Sequence, residues 1–382
     1  MRTSLLCFAI CARSIAMLRG ETTPLSQALP EEKEITIACE LTTTEPRANV
    51  PVFDSPKDSE AAKGNYHYKL WLPKGYSADP QKRWPCWFIQ SPSGNAGMGA
   101  MGARLKSSGY VVVMPQEAKN GPWVPIVGSL LATHDDVVKR VRIQEGLKFA
   151  TGFSGGARMS GLLAQMRPGF SGLYLQGAGL PPKGGGYHTA GLTKIPGLAV
   201  AMVVGAKDGN LHEVKAVQAA LPGARFLPLS FDGGHAWAPA ESFEKALPWI
   251  EQQVYVEAPA RPEMKPVYAG YFRQRHAEWA ALTVPWEKYR NADALMTLAR
   301  ARGLTADATL APALKEIQAE MTRLRSDPAI AKESLAADAW RRLEEGHRGA
   351  TAERIAADAR DFAKRYPGTE AAKKAEAKAT AP

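Results

Sequence analysis

Apolar residues along this chain fall into two kinds of run. The difference predicts a sheet with a covered centre and an open edge. Glu34-Ile35-Thr36-Ile37-Ala38 alternates polar and apolar positions, and Tyr66 to Leu72 alternates again. Alternation sends every second side chain to one face, so both segments read as half-exposed strands paired antiparallel at a sheet edge. Cys86-Trp87-Phe88-Ile89, Val111-Val112-Val113-Met114, Leu173-Tyr174-Leu175 and Leu198 to Val204 are unbroken apolar runs. Strands of that kind are covered on both faces. Arg225 to Phe231 reads as the final strand.

Helical patterns fill the gaps, over 97–108, 129–146, 155–166, 211–221 and from about 240 to 253. Strands that alternate with helices predict an α/β fold, a mostly parallel central sheet flanked by helices with right-handed crossovers. The α/β domain spans 33–255. Residues 256–267 carry Pro259, Pro262 and Pro266 and read as a linker. From 268 to 382 the text is rich in Ala, Arg and Glu, glycine is sparse and strand signals are absent, which predicts an all-α extension. Its helices break at Pro285, Gly303, Pro328, Gly346–Gly349 and Pro367-Gly368, and the last ten residues are expected to fray.

Composition adds limits. Over 382 residues, 45% hydrophobic and 23% charged positions are ordinary for a globular protein. The net charge of +10 invites a nucleic-acid reading. The cations are dispersed and interleaved with Glu and Asp, so a solvated basic surface is expected and nucleic acid is not. Met1-Arg2-Thr3 followed by the apolar Ser4 to Ala12 reads as a signal peptide over 1–20, and hence a secreted or periplasmic protein. Cys7 and Cys11 lie in that leader. Cys39 and Cys86 fall in strands that are not expected to be neighbours, so they read as isolated thiols. No Cys or His spacing suggests zinc.

The candidate chemistry centres on Gly152-Phe153-Ser154-Gly155-Gly156, a G-x-S-x-G match. Leu147 to Ala150 precedes it as a strand and Ala157 to Ala164 follows as a helix. That is the setting in which a sharp turn presents the Ser154 hydroxyl above the sheet. A hydroxyl needs a base to take its proton and an acid to orient the base. Asp208, after the buried run ending at Val204, and His235, after Phe231, follow in the chain order serine, acid, histidine. Both sit where a parallel sheet places its active loops, at the carboxyl ends of strands. His212 and His188 compete for the base and Asp232 for the acid. Asp135 and Asp136 read as solvated.

Residues from about 65 to 253 resemble the α/β-hydrolase superfamily, in particular its compact esterases of the polyhydroxybutyrate depolymerase-like and feruloyl esterase-like kind. The resemblance rests on Gly152 to Gly156, on Gly205 to Asn210, and on Gly233-Gly234-His235-Ala236-Trp237. It implies a serine hydrolase that forms a covalent acyl-enzyme, with Ser154 as nucleophile, His235 as base and Asp208 as orienting acid, and with no cofactor. Such enzymes usually carry His-Gly after the third strand, and a backbone N–H just beyond it forms half of the oxyanion hole. Here the stretch is Gln90-Ser91-Pro92-Ser93. If Ser91-Pro92 stand for His-Gly, the donors are the Ser93 and Gly155 amides. If Gln90-Ser91 do, the donor position falls on Pro92, which has no N–H.

Trp123 and Trp237 are candidate substrate contacts. The short 177–196 stretch leaves little room for a helical lid, which suits a small-molecule or polymer-linked ester. A peptidase of the prolyl-oligopeptidase kind would use the same three residues, but no propeller-like segment is present. An inactive hydrolase-fold binding protein, with the C-terminal helices as a partner-binding module, is the alternative from another class. Asp361 to Ala379 resembles the end of a tetratricopeptide-type helix pair.

Overall fold

The computed structural model describes residues 29–40, 65–347 and 350–380. The expected leader over 1–20, with Cys7 and Cys11, lies outside them. The chain divides into two compact units, Met1–Pro259 and Ala260–Pro382. Among the described residues, no helix is long and apolar enough to cross a membrane.

The first unit is built on eight strands: β1 (Glu34–Ala38), β2 (His67–Trp71), β3 (Trp84–Gln90), β4 (Val111–Pro115), β5 (Ile143–Phe153), β6 (Phe170–Gln176), β9 (Ala199–Gly205) and β10 (Arg225–Phe231). A two-residue hairpin, β7 (Pro182–Lys183) with β8 (Gly186–Tyr187), lies apart from the sheet. The sheet order is β1-β2-β4-β3-β5-β6-β9-β10. The pairs β1/β2 and β2/β4 are antiparallel and the others parallel. The alternating text at the start of the unit thus forms the antiparallel edge. The unbroken runs β4 and β9 are buried at every position. Pro228 is tolerated in β10 because that strand is the opposite edge, where a missing N–H breaks no second ladder.

Among the described residues five α-helices flank this sheet: α1 (Gly102–Ser107), α2 (Trp123–Arg140), α3 (Gly155–Met166), α4 (Glu213–Ala220) and α5 (Ala240–Glu251). Successive residues of β3 show how both faces are covered. Trp87 packs on Phe149, Tyr110 and, from α5, Phe243, while Phe88 packs on His134 of α2 and on Phe170. After β4 the chain crosses to the far side of β3 to make β5. The carboxyl ends of β3 and β5 therefore flank a switch in strand order, where an open α/β sheet forms its crevice.

Three expectations are corrected. The helix expected over 129–146 starts at Trp123 and stops at Arg140. Pro125 falls in the first turn, where its missing N–H has no helical partner to lose, and Val141 turns out into extended backbone. Residues 143–146 belong to β5 instead. Asp136 is not solvated: it is fully buried, accepts from Tyr68 Oη at 2.8 Å and pairs with Arg140 at 2.9 Å. Asp135 pairs with Arg167 at 2.6 Å. The end of the chain is helical to Ala379, capped by Thr369, whose hydroxyl accepts from Ala372 N–H. Cys39 lies just past β1 and Cys86 in β3, and both are free thiols.

The second unit holds α6 (Lys265–Ala280), α7 (Pro285–Ala301), α8 (Ala311–Arg325), α9 (Pro328–Gly346), α10 (Ala352–Arg365) and α11 (Glu370–Ala379). Prolines sit in the first turns of α6, α7, α8 and α9. Trp340, Phe362 and Tyr366 form an aromatic run with centroids 4.9 and 4.8 Å apart, packed among Ala336, Ala359, Ala371 and Ala375. Small alanines let the backbones of α9, α10 and α11 approach that aromatic centre.

Candidate active site

Ser154 joins β5 to α3. Its backbone stands at φ 53, ψ −118, a left-handed conformation that costs a side-chain-bearing residue on the order of 1–3 kcal/mol. Close packing holds it there. A Cβ at Gly152 would lie 2.5 Å from Gly156 O and 2.6 Å from Gln90 O, so the turn closes only with glycine on both sides. Ser154 N–H donates to Gln176 O on β6 at 2.8 Å.

Two further loops converge on this turn. Asp208 leaves β9 and opens a 3-10 turn over Gly209–His212, its Oδ1 accepting from Asn210 N–H at 2.9 Å. Asn210 Nδ2 donates to Gly177 O at 2.8 Å and so ties the loop to the end of β6. The His235 loop leaves β10 beside it, with Lys207 N–H donating to Gly233 O at 2.8 Å. Gly205 permits that approach, since a Cβ there would run into the carbonyl oxygens of Gly233 and Gly234.

The result is a chain of three side chains. His235 Nε2 lies 2.9 Å from Ser154 Oγ, and His235 Nδ1 lies 2.8 Å from Asp208 Oδ2. A carboxylate can only accept, so the ring carries its proton on Nδ1 and turns the lone pair of Nε2 to the hydroxyl. The Asp208 side chain is 2% exposed and the His235 side chain 43%. The acid is sealed in the protein, while the ring opens to solvent and to an incoming ligand.

The competing residues lie elsewhere. His212 is exposed, with Nδ1 on Gly209 O at 2.8 Å. His188 is buried, and its carbonyl accepts from Gln165 Nε2. Asp232 is exposed and paired with Lys207 at 2.8 Å. Ser93 sits at the exposed rim after β3, its N–H donating to Ser91 Oγ at 3.3 Å. Gly155 is the first residue of α3. Trp237 is 41% exposed and lies on Phe153, centroids 5.4 Å apart. Trp123 is half-buried and packs among Val127, Leu131 and Leu162. Among the described residues no three His, Cys, Asp or Glu side chains gather as a metal site requires.

Residues that the sequence did not single out complete the surroundings. Phe153 is one. Gln176 is another: its Nε2 donates to Thr151 Oγ1 at 3.2 Å and its Oε1 accepts from Ala238 N–H at 3.3 Å, bridging the serine strand and the histidine loop. Buried Glu213 accepts from Gly179 N–H at 2.8 Å and from Arg158 Nη2 at 2.7 Å, while Arg158 Nη1 reaches Leu180 O, so α3 and α4 clasp the segment after β6. Burial, with the Glu213 carboxylate beside it, pushes the Tyr187 hydroxyl up to about 12. Asn210 had a readable signal, the Asp-x-Asn of a side-chain-capped turn. Gln176 and Glu213 had none, because nothing local marks a polar residue bonded to a distant loop.

No protein-family model matches the chain, and no curated protein matches it. Among solved structures it is similar to a ferulic acid esterase, at 15% identity over 59% of this chain and 99% of that one, TM-score 0.41. It is similar to the S-formylglutathione hydrolase FrmB of Staphylococcus aureus, at 14% identity over 59% and 99%, TM-score 0.40. It is also similar to the dienelactone hydrolase-like promiscuous phosphotriesterase P91 from metagenomic libraries, at 12% identity over 58% and 98%, TM-score 0.42. The eight-stranded, mostly parallel sheet with its flanking helices is an α/β-hydrolase fold, followed by a helical C-terminal unit.

Proposed function

We propose that this chain is a serine hydrolase acting on carboxylic esters through a covalent acyl-enzyme. One observation carries the reading: Ser154 Oγ, His235 and Asp208 form an unbroken hydrogen-bonded chain at the carboxyl edge of the sheet. In this mechanism His235 Nε2 takes the Ser154 proton as Oγ attacks the ester carbonyl carbon. Asp208 holds the ring and stabilises its positive charge. The tetrahedral oxyanion is received by backbone N–H groups, those of Gly155 and Ser93, at the positive end of α3. His235 then protonates the departing alcohol. Water, deprotonated by the same ring, attacks the acyl carbon and releases the acid. The cycle needs neither metal nor organic cofactor.

Exposed Trp237, lying against Phe153 beside the base, is the proposed contact for the substrate's acyl or alcohol group, with Trp123 as a second aromatic at the start of α2. Only a small hairpin and a short 3-10 turn occupy 177–196, which favours an open site and bulky or polymer-linked esters. The Met1 to Leu18 text supports a secreted or periplasmic location, and the pairing of α10 with α11 keeps a tetratricopeptide-type partner-binding role for the second unit in view.

The test pairs a fluorophosphonate probe with p-nitrophenyl acyl esters, feruloyl esters and short peptides, on the wild type and Ser154→Ala. Labelling and ester turnover that vanish in Ser154→Ala support the reading. Peptide cleavage without ester cleavage moves it to a peptidase. A folded wild type that neither labels nor turns over leaves the binding-protein alternative.

A further inference from the structure

The loop after β4 brings one more side chain to the serine turn. Asn120 N–H donates to Pro92 O at 2.7 Å, and Ser93 forms a β-bridge with Lys119, so the loops after β3 and β4 run zipped together. From that zipped pair the Asn120 carboxamide lies over the residue next to Ser154. A Cβ at Gly155 would overlap Asn120 Oδ1 and lie 2.8 Å from Cγ and 3.2 Å from Nδ2. A side chain at Gly155 would have to push the exposed Asn120 carboxamide aside. The carboxamide is exposed, and among the described residues nothing satisfies it.

The loop after β3 is poorly equipped by comparison. Pro92 has no N–H, and the Ser93 N–H is turned to Ser91 Oγ. We infer that Asn120 is a catalytic residue whose Nδ2 donates to the oxyanion alongside the Gly155 and Ser93 N–H groups, reinforcing by side chain a Ser93 amide that is shared with Ser91 Oγ. This inference rests on the serine hydrolase reading. The two ends of a carboxamide have nearly the same size, so a half-turn about χ2 exchanges Oδ1 for Nδ2 and aims a donor at the site. An N–H that points at developing charge strengthens its bond as the carbonyl becomes an alkoxide, so the gain falls on the transition state.

The experiment measures kcat and KM for p-nitrophenyl acetate, the inhibition constant of an aryl boronic acid, and thermal melting, for the wild type, Ser154→Ala, Asn120→Ala and Asn120→Asp. The boronate forms a tetrahedral adduct on serine and so reports the oxyanion site apart from turnover. Asn120→Ala is expected to lower kcat by about 10²–10³-fold with little change in KM, and to weaken the boronate by a comparable factor. Asn120→Asp, nearly isosteric, is expected to lose at least as much, because a carboxylate repels the oxyanion. If Asn120→Ala does not fold, Asn120→Asp decides alone. Wild-type kcat in a folded variant overturns the inference, as does a fall in kcat with unchanged boronate affinity. The two readings separate on the wild type: turnover that Ser154→Ala abolishes keeps the hydrolase reading whatever Asn120 does, while a wild type without turnover or boronate binding overturns both.

Discussion

The ring of Phe153 lies against the ring of His235, with centroids 4.7 Å apart and planes tilted by 41°. Phe153 is the variable residue of the G-x-S-x-G turn, so the turn that presents the hydroxyl also supplies a wall for its hydrogen-bond partner. Asp208 holds the imidazole at Nδ1 and Phe153 supports one face, while the rest of the ring is open to solvent.

Phe153→Ala removes that support without touching a proton-transfer atom. The expected result is a fall in kcat/KM of between about tenfold and about 10²-fold, since small misplacements of a reacting group cost that much. Phe153→Tyr restores most of it. Stopped-flow release of p-nitrophenol separates slowed acylation from weakened substrate binding.

Gln176→Leu leaves Ala238 N–H and Thr151 Oγ1 without their partner across the sheet edge. Thr151 Oγ1 keeps its contact to Met101 Sδ, but the orphaned Ala238 N–H costs about 1–3 kcal/mol when water cannot replace the bond. Urea unfolding is expected to show a lowered midpoint at unchanged slope. Because Ala238 lies three residues after His235, kcat falls as well. A stability loss with full kcat would show that the histidine loop is held by other contacts.

Glu213→Ala undoes the clasp on the segment after β6. Arg158 loses a charge-assisted partner and Gly179 N–H its acceptor. The expected destabilisation is about 2 kcal/mol. Limited proteolysis should cut first between Leu180 and His188, where the exposed hairpin then lacks its anchor. Cleavage elsewhere at the same rate as wild type would count against this role for Glu213.

His134 sets an acid limit on the fold. Burial holds its pKa down from 6.5 to about 4, with Asp135 on Nδ1 and the Lys148 ammonium 3.1 Å from Nε2. Burial also works to raise Asp135, but Arg167 and His134 override it and hold that carboxyl at about 2. In the unfolded chain the imidazole takes a proton near pH 6.5 that the folded chain refuses. Stability is therefore full above pH 6.5 and falls as the pH drops toward 4, by about 3 kcal/mol for this one ring. His134→Gln does not titrate, and its carboxamide oxygen can still accept from Lys148. Melting curves from pH 7 to 4 are expected to be flatter for the variant. Parallel curves would mean that another group carries the acid sensitivity.

Much of this architecture is legible in the text of the chain because its signals are local. The alternation of Glu34 to Ala38 marks an edge strand, and the run Leu198 to Val204 marks a buried one. The spacing of Gly152, Ser154 and Gly156 marks a turn that only glycines can close. The limits of α2 are hard to read because Pro125, a residue that ends most helices, is harmless in a first turn, and the apolar Val141 and Ile143 continue the text of the helix into β5. Asp136 is hard to read because, besides the nearby Arg140, its partners Tyr68 and the Glu40 N–H lie more than sixty residues away, and they are what bury it. Asn120 escaped for the same reason: its meaning comes from a neighbour, Gly155, that the sequence does not place beside it.

The left-handed backbone at Ser154 bears on how robust this protein is. Glycine adopts that conformation freely, so Ser154→Gly relieves a local distortion and is expected to melt above the wild type while turning over no ester. Natural chains under selection for durability alone would carry glycine there. On the serine hydrolase proposal, the strain at that point is the cost of presenting a reactive hydroxyl in place of a more durable glycine.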